Sequence, residues 1–145
     1  MEKILLYIIS EETRGSWKRA IEISNAMSAT LFGLYVIDEK SVKRISKLRG
    51  EDPLDTAIEM EEEGWKLLYH LEDMAINSGV KSKLNLEEGD PVNTIKRQVK
   101  KFDIDMVILG YKAPRGGSRR KTERIVDQII EHVPCPILID KEGGK

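Results

Sequence analysis

Cysteine and histidine are scarce in this 145-residue sequence, which contains one cysteine, Cys135, and two histidines, His70 and His132. A single cysteine cannot form an intramolecular disulfide, and the two histidines do not stand at a metal-ligand spacing from each other or from Cys135. We therefore expect no metal site. No pairing of a nucleophile with a base is evident either, so we expect a protein that is not an enzyme, with weak nucleotide hydrolysis left open.

The chain also lacks a charge excess and a long apolar run. Lys and Arg total 24 and Asp and Glu total 25, which gives a net charge of -1. Such a balanced composition does not indicate a general nucleic-acid-binding surface. The apolar runs at 4–9 and 106–109 are far shorter than the about 20 residues that cross a bilayer. No basic and apolar signal segment opens the sequence. We expect a soluble cytoplasmic protein, without a membrane partner, that forms a single domain over 1–145.

Five short segments have the composition of β-strands. They are predicted at 3–9, 29–37, 80–86, 106–109 and 134–140. Continuous apolar and β-branched runs are typical of parallel strands that are covered on both faces. The third segment alternates between apolar and polar residues, which favours a position near an edge. Pro134 and Pro136 cannot both donate to a central ladder, so the last strand is also predicted at an edge.

Helical spacing of apolar residues separates these strands. Helices are predicted from Trp17 after an N-cap at Ser16, over 54–78, over 91–102 after Gly89-Asp90-Pro91, and over 122–132. The polar segment 39–52 is predicted to be a connection with room for one short helical turn, and 111–121 to be a loop. Alternating strands and helices predict an α/β fold with a parallel sheet. Ligands of such sheets bind beyond the carboxyl ends of the strands, which here lie after Ile9, Ile37, Leu86 and Leu109.

Several motifs resemble landmarks of the universal stress protein family, over nearly the whole chain. They are Lys3-Ile-Leu-Leu, Leu34-Tyr-Val-Ile-Asp38, Gly79-Val, Glu88-Gly-Asp-Pro91, Asp105-Met-Val-Ile-Leu-Gly110 and Val133-Pro-Cys-Pro-Ile-Leu-Ile139. The resemblance implies one open five-stranded parallel sheet of order 3-2-1-4-5 with helices on both faces, the adenine nucleotide alpha hydrolase-like fold. It also implies a homodimer that pairs the C-terminal strand 135–140 of two copies.

One branch of that family binds ATP or AMP through a loop after the fourth strand, Gly-x-x-Gly, nine residues, then Gly and Ser or Thr. Counted from Gly110, the second glycine falls on Ala113, the third on Glu123 and the hydroxyl residue on Arg124. A side chain in place of such a glycine hinders the approach of backbone N–H groups to phosphate oxygens. The resemblance thus implies ATP or AMP as the ligand, with Mg²⁺ only alongside the nucleotide, through an altered motif.

The resemblance also bears on the ends of the first two strands. The family's nucleotide-contacting aspartate falls near Ile9, next to Ser10, and Val36 matches a backbone contact to adenine. Arg115-Gly-Gly-Ser-Arg-Arg-Lys121 adds a basic, glycine-containing segment at the same edge. The candidate nucleotide- or anion-binding residues are therefore Ile9, Ser10, Val36, Asp38, Gly89, Leu109, Gly110, Lys112, Arg115, Gly116, Gly117, Ser118 and Arg119.

Simpler interpretations stand beside these assignments. The basic segment is equally typical of a solvated surface loop, Gly89-Asp90-Pro91 of helix initiation, and Asp38 of a strand end. Nucleic acid is an unlikely partner, because Tyr111 is the one aromatic residue near the basic segment. Two functions follow: a regulatory module that binds an adenine nucleotide or another phosphorylated small molecule at 110–124, or a nucleotide-free dimer that acts through an unidentified protein partner.

Overall fold

The computed structural model describes residues 1–9, 13–112 and 121–142, with the side chains of 121–123 and 142 left aside. Strands and helices alternate along the chain. They are β1 (Lys3–Ile8), α1 (Arg14–Met27), β2 (Thr30–Asp38), α2 (Glu39–Arg49), α3 (Pro53–Asn77), β3 (Ser82–Gly89), α4 (Pro91–Phe102), β4 (Met106–Lys112), α5 (Lys121–His132) and β5 (Ile137–Glu142). The strands form one parallel sheet of order β3-β2-β1-β4-β5. The predicted fold class, strand order and edge positions of the third and last strands are confirmed.

The central strand β1 takes its place because it is apolar from Ile4 onward. Ile4, Leu5 and Leu6 are fully buried, and β1 pairs with β2 on one side and β4 on the other. Alternate side chains of a strand point to opposite faces. Leu6 accordingly belongs to the core under one layer of helices, and Leu5 to the core under the other.

The helices cover both faces of the sheet, as expected. One face carries α1 and α3, whose Trp17, Leu68 and Leu71 are fully buried there. The opposite face carries α4 and α5, whose buried side chains belong to the second core. Val92, Ile95 and Val99, which recur at helical spacing, form the buried apolar stripe of α4. Helical spacing places Met27 with Trp17 and Ala20 on the inner face of α1, but Met27 is exposed, as is the apolar Ile58 of α3.

The prediction that 39–52 is mainly a connection is wrong, because Glu39–Arg49 forms the 11-residue helix α2. Its sequence is so polar that periodicity gives little sign of it, and Val42 is its one buried apolar residue. The sequence signals that indicate this helix are the residues at its two ends. Asp38 caps the N-terminus by accepting a hydrogen bond from the Lys40 backbone N–H, and Gly50 ends the helix with a left-handed φ of 65°.

Three further boundaries differ from the predictions. Helix α1 begins at Arg14 after Thr13, so Ser16 lies in its first turn and is not the N-cap. Strand β4 continues through Gly110 to Lys112 instead of stopping at the glycine. Strand β5 begins at Ile137, after the two prolines, because a proline has no N–H for the ladder.

Candidate functional site

The strand ends bring the described candidate residues to one edge of the sheet. Ile8 pairs with Tyr35, which sets Ile9 beside Val36 at the end of the β1–β2 pair. Asp38 pairs with Gly89 at the end of β2 and β3. On the other side of β1, Tyr7 pairs with Leu109. Strand order reverses between β1 and β4, which is where open α/β sheets hold their ligands.

Gly110 has a packing role at this edge. A Cβ atom on Gly110 would lie 2.6 Å from Ser16 Oγ and 2.6 Å from Thr13 Cβ, closer than real side chains approach. Ser16 Oγ in turn donates a hydrogen bond of 2.6 Å to the Thr13 carbonyl oxygen. The first turn of α1 therefore rests directly on β4, and the glycine is required for this contact with or without a ligand.

Asp38 and Asp90 both serve as helix caps. The Asp38 carboxylate accepts a hydrogen bond of 3.1 Å from Lys40 N–H and one of 3.0 Å from Ser41 Oγ. The Asp90 carboxylate accepts one of 3.0 Å from Asn93 N–H, and Pro91 opens α4. The prediction of helix initiation at Gly89-Asp90-Pro91 is confirmed. Both carboxylates are thereby held at the carboxyl edge in fixed positions.

Gly89 precedes the Asp90 cap with a φ of 146°. A side chain is strained in this conformation, so the turn from β3 into α4 depends on glycine. The nearest atom to a Cβ there would be Thr94 Oγ1 at 3.8 Å, which leaves space over the backbone. The backbone of this turn is therefore partly accessible at the edge.

Tyr7 is a site feature that the sequence patterns did not reveal. It is only 4% exposed, and burial raises the pKa of its phenol well above the usual range, with the charges of Asp38 and Asp90 adding to the effect. A neutral phenol therefore lies behind the two capping carboxylates. The available signal was a tyrosine within the otherwise aliphatic run 4–9, since a buried tyrosine hydroxyl usually has a hydrogen-bond partner.

The remaining candidates divide into described and undescribed residues. Ile9 is half-buried, Leu109 is fully buried, and Lys112 and Arg124 are exposed near the end of β4 and in the first turns of α5. Ser10 and residues 115–120 of the basic segment lie outside the described residues. The undescribed candidates are Ser10, Arg115, Gly116, Gly117, Ser118 and Arg119, together with the motif position Ala113.

A small cavity of about 260 Å³ adjoins this edge between β4, β5 and α5. Tyr111, Val126, Asp127, Ile139 and Lys141 line it. Small-molecule sites commonly measure about 300–1,000 Å³, so this cavity is too small to enclose a nucleotide by itself. Its apolar lining residues Tyr111, Val126 and Ile139 belong to the core under α4 and α5, so it lies on that face of the sheet.

The described part of the chain offers neither a metal cluster nor a membrane-spanning helix. No group of three or more His, Cys, Asp or Glu residues there is arranged to hold a metal ion. None of the described helices is both long enough and apolar enough to cross a membrane. Cys135 is half-buried, and burial raises the pKa of its thiol, which disfavours the reactive thiolate.

The sheet order, the Asp90 cap and the position of Gly110 near the carboxyl end of β4 agree with the family that the motifs resemble. A comparison with family models decides whether the chain belongs to it. The model described as the universal stress protein family matches residues 1–141. The chain belongs to the universal stress protein family. Universal stress protein MJ0531 of Methanocaldococcus jannaschii is 29% identical over 129 residues, which cover 88% of this chain and 74% of that protein.

Solved structures of other proteins share the universal stress protein fold of this chain. Hypothetical protein MJ0577 superposes with a TM-score of 0.76 at 20% identity, covering 99% of this chain and 98% of that one. The universal stress protein from Archaeoglobus fulgidus in complex with dAMP superposes with a TM-score of 0.67 at 11% identity, covering 96% of this chain and 97% of that one. At these identities the likeness concerns the fold.

Proposed function

We propose that this universal stress protein is a regulatory module that binds an adenine nucleotide, or another phosphorylated small molecule, at the carboxyl edge between β1 and β4. The observation that carries the proposal is the convergence of Ile9, Val36, Gly89 and Gly110 at that edge. Val36, Gly89 and Gly110 lie in β2, β3 and β4, and Ile9 directly follows β1, so the four residues are separated along the chain. The A. fulgidus protein of the same fold is described as a dAMP complex, which supports this class of ligand.

The base and ribose of the proposed ligand would contact different residues from its phosphate. Ile9 is apolar where the family pattern has an aspartate, so the base or ribose would be recognised by backbone groups near Val36 and by apolar contact rather than by a carboxylate at that position. Lys112 and Arg124 are exposed cations on the β4–α5 side. The N-terminus of α5 faces the same edge because the helix follows β4, and helix N-termini favour anions.

Regulation would follow because the bound ligand orders the residues that surround it. A bound phosphate would be held by Lys112 and Arg124, and by Arg115, Gly116, Gly117, Ser118 and Arg119 of the basic segment. The proposed mechanism is a population shift, in which the ligand favours the conformation that offers these groups together. Mg²⁺ would enter only with the nucleotide.

Calorimetric titration of nucleotide-stripped protein with ATP and AMP, each with and without Mg²⁺, tests the proposal. We expect saturable 1:1 binding that weakens about tenfold or more in Lys112→Glu and in Arg115→Ala/Arg119→Ala, because each loses charge near the phosphate. Glu131→Lys, at the far end of α5, is the control and should bind like the wild type. Absence of heat and of thermal stabilisation with every nucleotide would reject the proposal.

A nucleotide-free homodimer is the second candidate, favoured by the exposure of β5. Within the described residues this strand pairs on one side only, with β4, and its Ile137, Leu138 and Ile139 are half-buried. An edge strand with apolar side chains offers a pairing surface to a second copy. Sedimentation of wild type and Ile139→Lys, read together with the nucleotide titration, decides this candidate. A dimer that binds no nucleotide and is lost in the variant supports it, and a wild-type monomer at all concentrations rejects it.

A further inference from the structure

The outer flank of α3 carries a stripe of exposed apolar side chains. Leu54, Ile58, Tyr69 and Ile76 are 65%, 44%, 55% and 64% exposed, four of the eight large apolar side chains exposed among the described residues. Together with half-buried Trp65 they form the α3 stripe. At 100° per residue these five positions fall within an arc of about 60° on one side of the helix. Glu72 falls within the same arc. Apolar side chains gathered on one side of a helix differ from singly scattered exposed residues, which need no explanation.

The middle of the α3 stripe is anchored to the protein. The rings of Trp65 and Tyr69 stack with their centroids 5.6 Å apart and an interplanar angle of 26°. Trp65 packs partly against the core, as do Leu84 and Leu86 of the edge strand β3. The stripe thus presents two aromatic side chains that are already ordered against each other, a low-entropy contact surface for a partner.

The surroundings of the stripe are strongly acidic. Helix α3 contains seven acidic residues and one lysine, Lys66, although the whole chain has a net charge of only -1. An open groove of about 680 Å³ lies beside the stripe, lined by Glu59, Glu62, Glu63, Trp65, Lys66 and Tyr69. Glu59 is paired with Arg49 at 3.0 Å, whereas Glu61 and Glu62 extend the acidic rim along the helix.

We propose that the α3 stripe and its acidic rim bind a basic amphipathic helix of another protein. The apolar face of such a helix would cover Ile58, Trp65 and Tyr69, and its Lys and Arg residues would face the glutamates. A second copy of this chain fits less well, because stripe against stripe sets two acidic rims together. Leu54, at the start of the stripe, lines a cavity with Glu39 and Glu88 next to the carboxyl edge, so the proposed contact centres on Ile58, Trp65 and Tyr69 further along α3. Strand β3, beside α3, lies at the opposite side of the sheet from β5.

Fluorescence anisotropy with a labelled 18-residue Leu/Lys amphipathic peptide tests this proposal on the full chain. A peptide of equal composition in a non-amphipathic order is the matched probe. We expect 1:1 binding of the amphipathic peptide, weakened about tenfold or more by Ile58→Ser/Tyr69→Ser and by Glu61→Lys/Glu62→Lys. The control Ile130→Ser/Glu131→Lys, an exposed apolar and acidic pair on α5, should leave binding unchanged.

Other outcomes would overturn the proposal. If both peptides bind equally, or if the α5 control weakens binding as much as the stripe variants do, the cationic peptide is attracted to acidic side chains in general and not to the α3 stripe. If the amphipathic peptide does not bind, a basic helix is not the partner of the α3 stripe. If the protein self-associates with rising concentration and the stripe variants abolish this, a second copy of the chain covers the stripe instead. Thermal unfolding of each variant verifies that it is folded, and Tyr69→Phe, which keeps the ring, should retain binding if the aromatic contact is what matters.

Discussion

Ile4, Leu5 and Leu6 at the centre of the sheet are fully buried, whereas Ile9, a few positions further along the chain, is half-exposed at the carboxyl edge. Central side chains meet apolar neighbours on both faces, so size and apolar character are what the fold requires of them. At the edge, individual residues have separate roles, since Asp38 and Asp90 cap helices and Gly110 admits the first turn of α1. The fold can therefore persist while the family's ligand motif changes.

The largest expected effect belongs to the centre. Leu71→Ala removes a fully buried side chain between α3 and the sheet. We expect the free energy of unfolding to fall by about 2–5 kcal/mol, measured by urea denaturation, because the cavity cannot close fully. Leu48→Ala, at a site 80% exposed on α2, is the control. An equal loss in both variants would contradict the assigned core.

Gly110→Val tests whether the edge glycine serves packing rather than only a ligand. The new side chain would meet Thr13 and Ser16, so we expect a loss of about 1–3 kcal/mol in the ligand-free protein. Ser16→Ala in the same background should recover part of the loss by removing the Oγ atom. Unchanged stability of Gly110→Val would show that α1 does not rest on β4 as described.

Asp38→Ala removes the cap of α2 and should cost about 1 kcal/mol of stability, measured by thermal unfolding with circular dichroism. Asp73→Ala on the exposed side of α3 is a matched control without a capping role and should cost less. If both substitutions cost the same, Asp38 is not acting as a cap. A cap explains why this carboxylate is held at the edge independently of any ligand.

Glu87 gives the smallest expected effect, and it depends on pH. Burial opposes ionisation of Glu87, but hydrogen bonds from Gln98 and Arg97 outweigh it and lower the pKa of the carboxyl. A lowered folded-state pKa stabilises the protein above the ordinary glutamate pKa, and this contribution is lost as pH falls through the folded value. Wild type should exceed Glu87→Gln in stability by about 1 kcal/mol or less at pH 7, and the difference should shrink as pH falls through the folded-state pKa. A difference that grows on acidification has the wrong sign.

The sequence predicted the centre better than the edge for a physical reason. Apolar runs such as Lys3–Ile8 have a strong pattern, and burial alone determines their role. Helix α2 was missed because it buries one apolar residue and owes its ends to Asp38 and Gly50. Gly110 was interpreted as a strand stop because the reason for the glycine, contact with α1, involves residues far away in the sequence. Tyr7 was missed for the same reason, since its polar neighbours come from β2 and the cap of α4.

The exposed apolar positions show the same limit. Ile58 fits the helical period of α3 as well as Leu68 does, yet it is 44% exposed. Periodicity identifies an apolar face without saying what covers it. The three-dimensional arrangement separates the inner face, which packs on the sheet, from the α3 stripe.

The measurement that tests the central claim most directly is a ¹H–¹⁵N chemical-shift titration of the full chain with AMP. The account predicts saturable changes at the backbone amides of Ile9, Val36, Gly89 and Gly110, with Tyr69 and Ile76 on α3 unaffected. Saturable changes centred on α3, or no saturable change at these strand ends with either AMP or ATP, would contradict binding at the carboxyl edge.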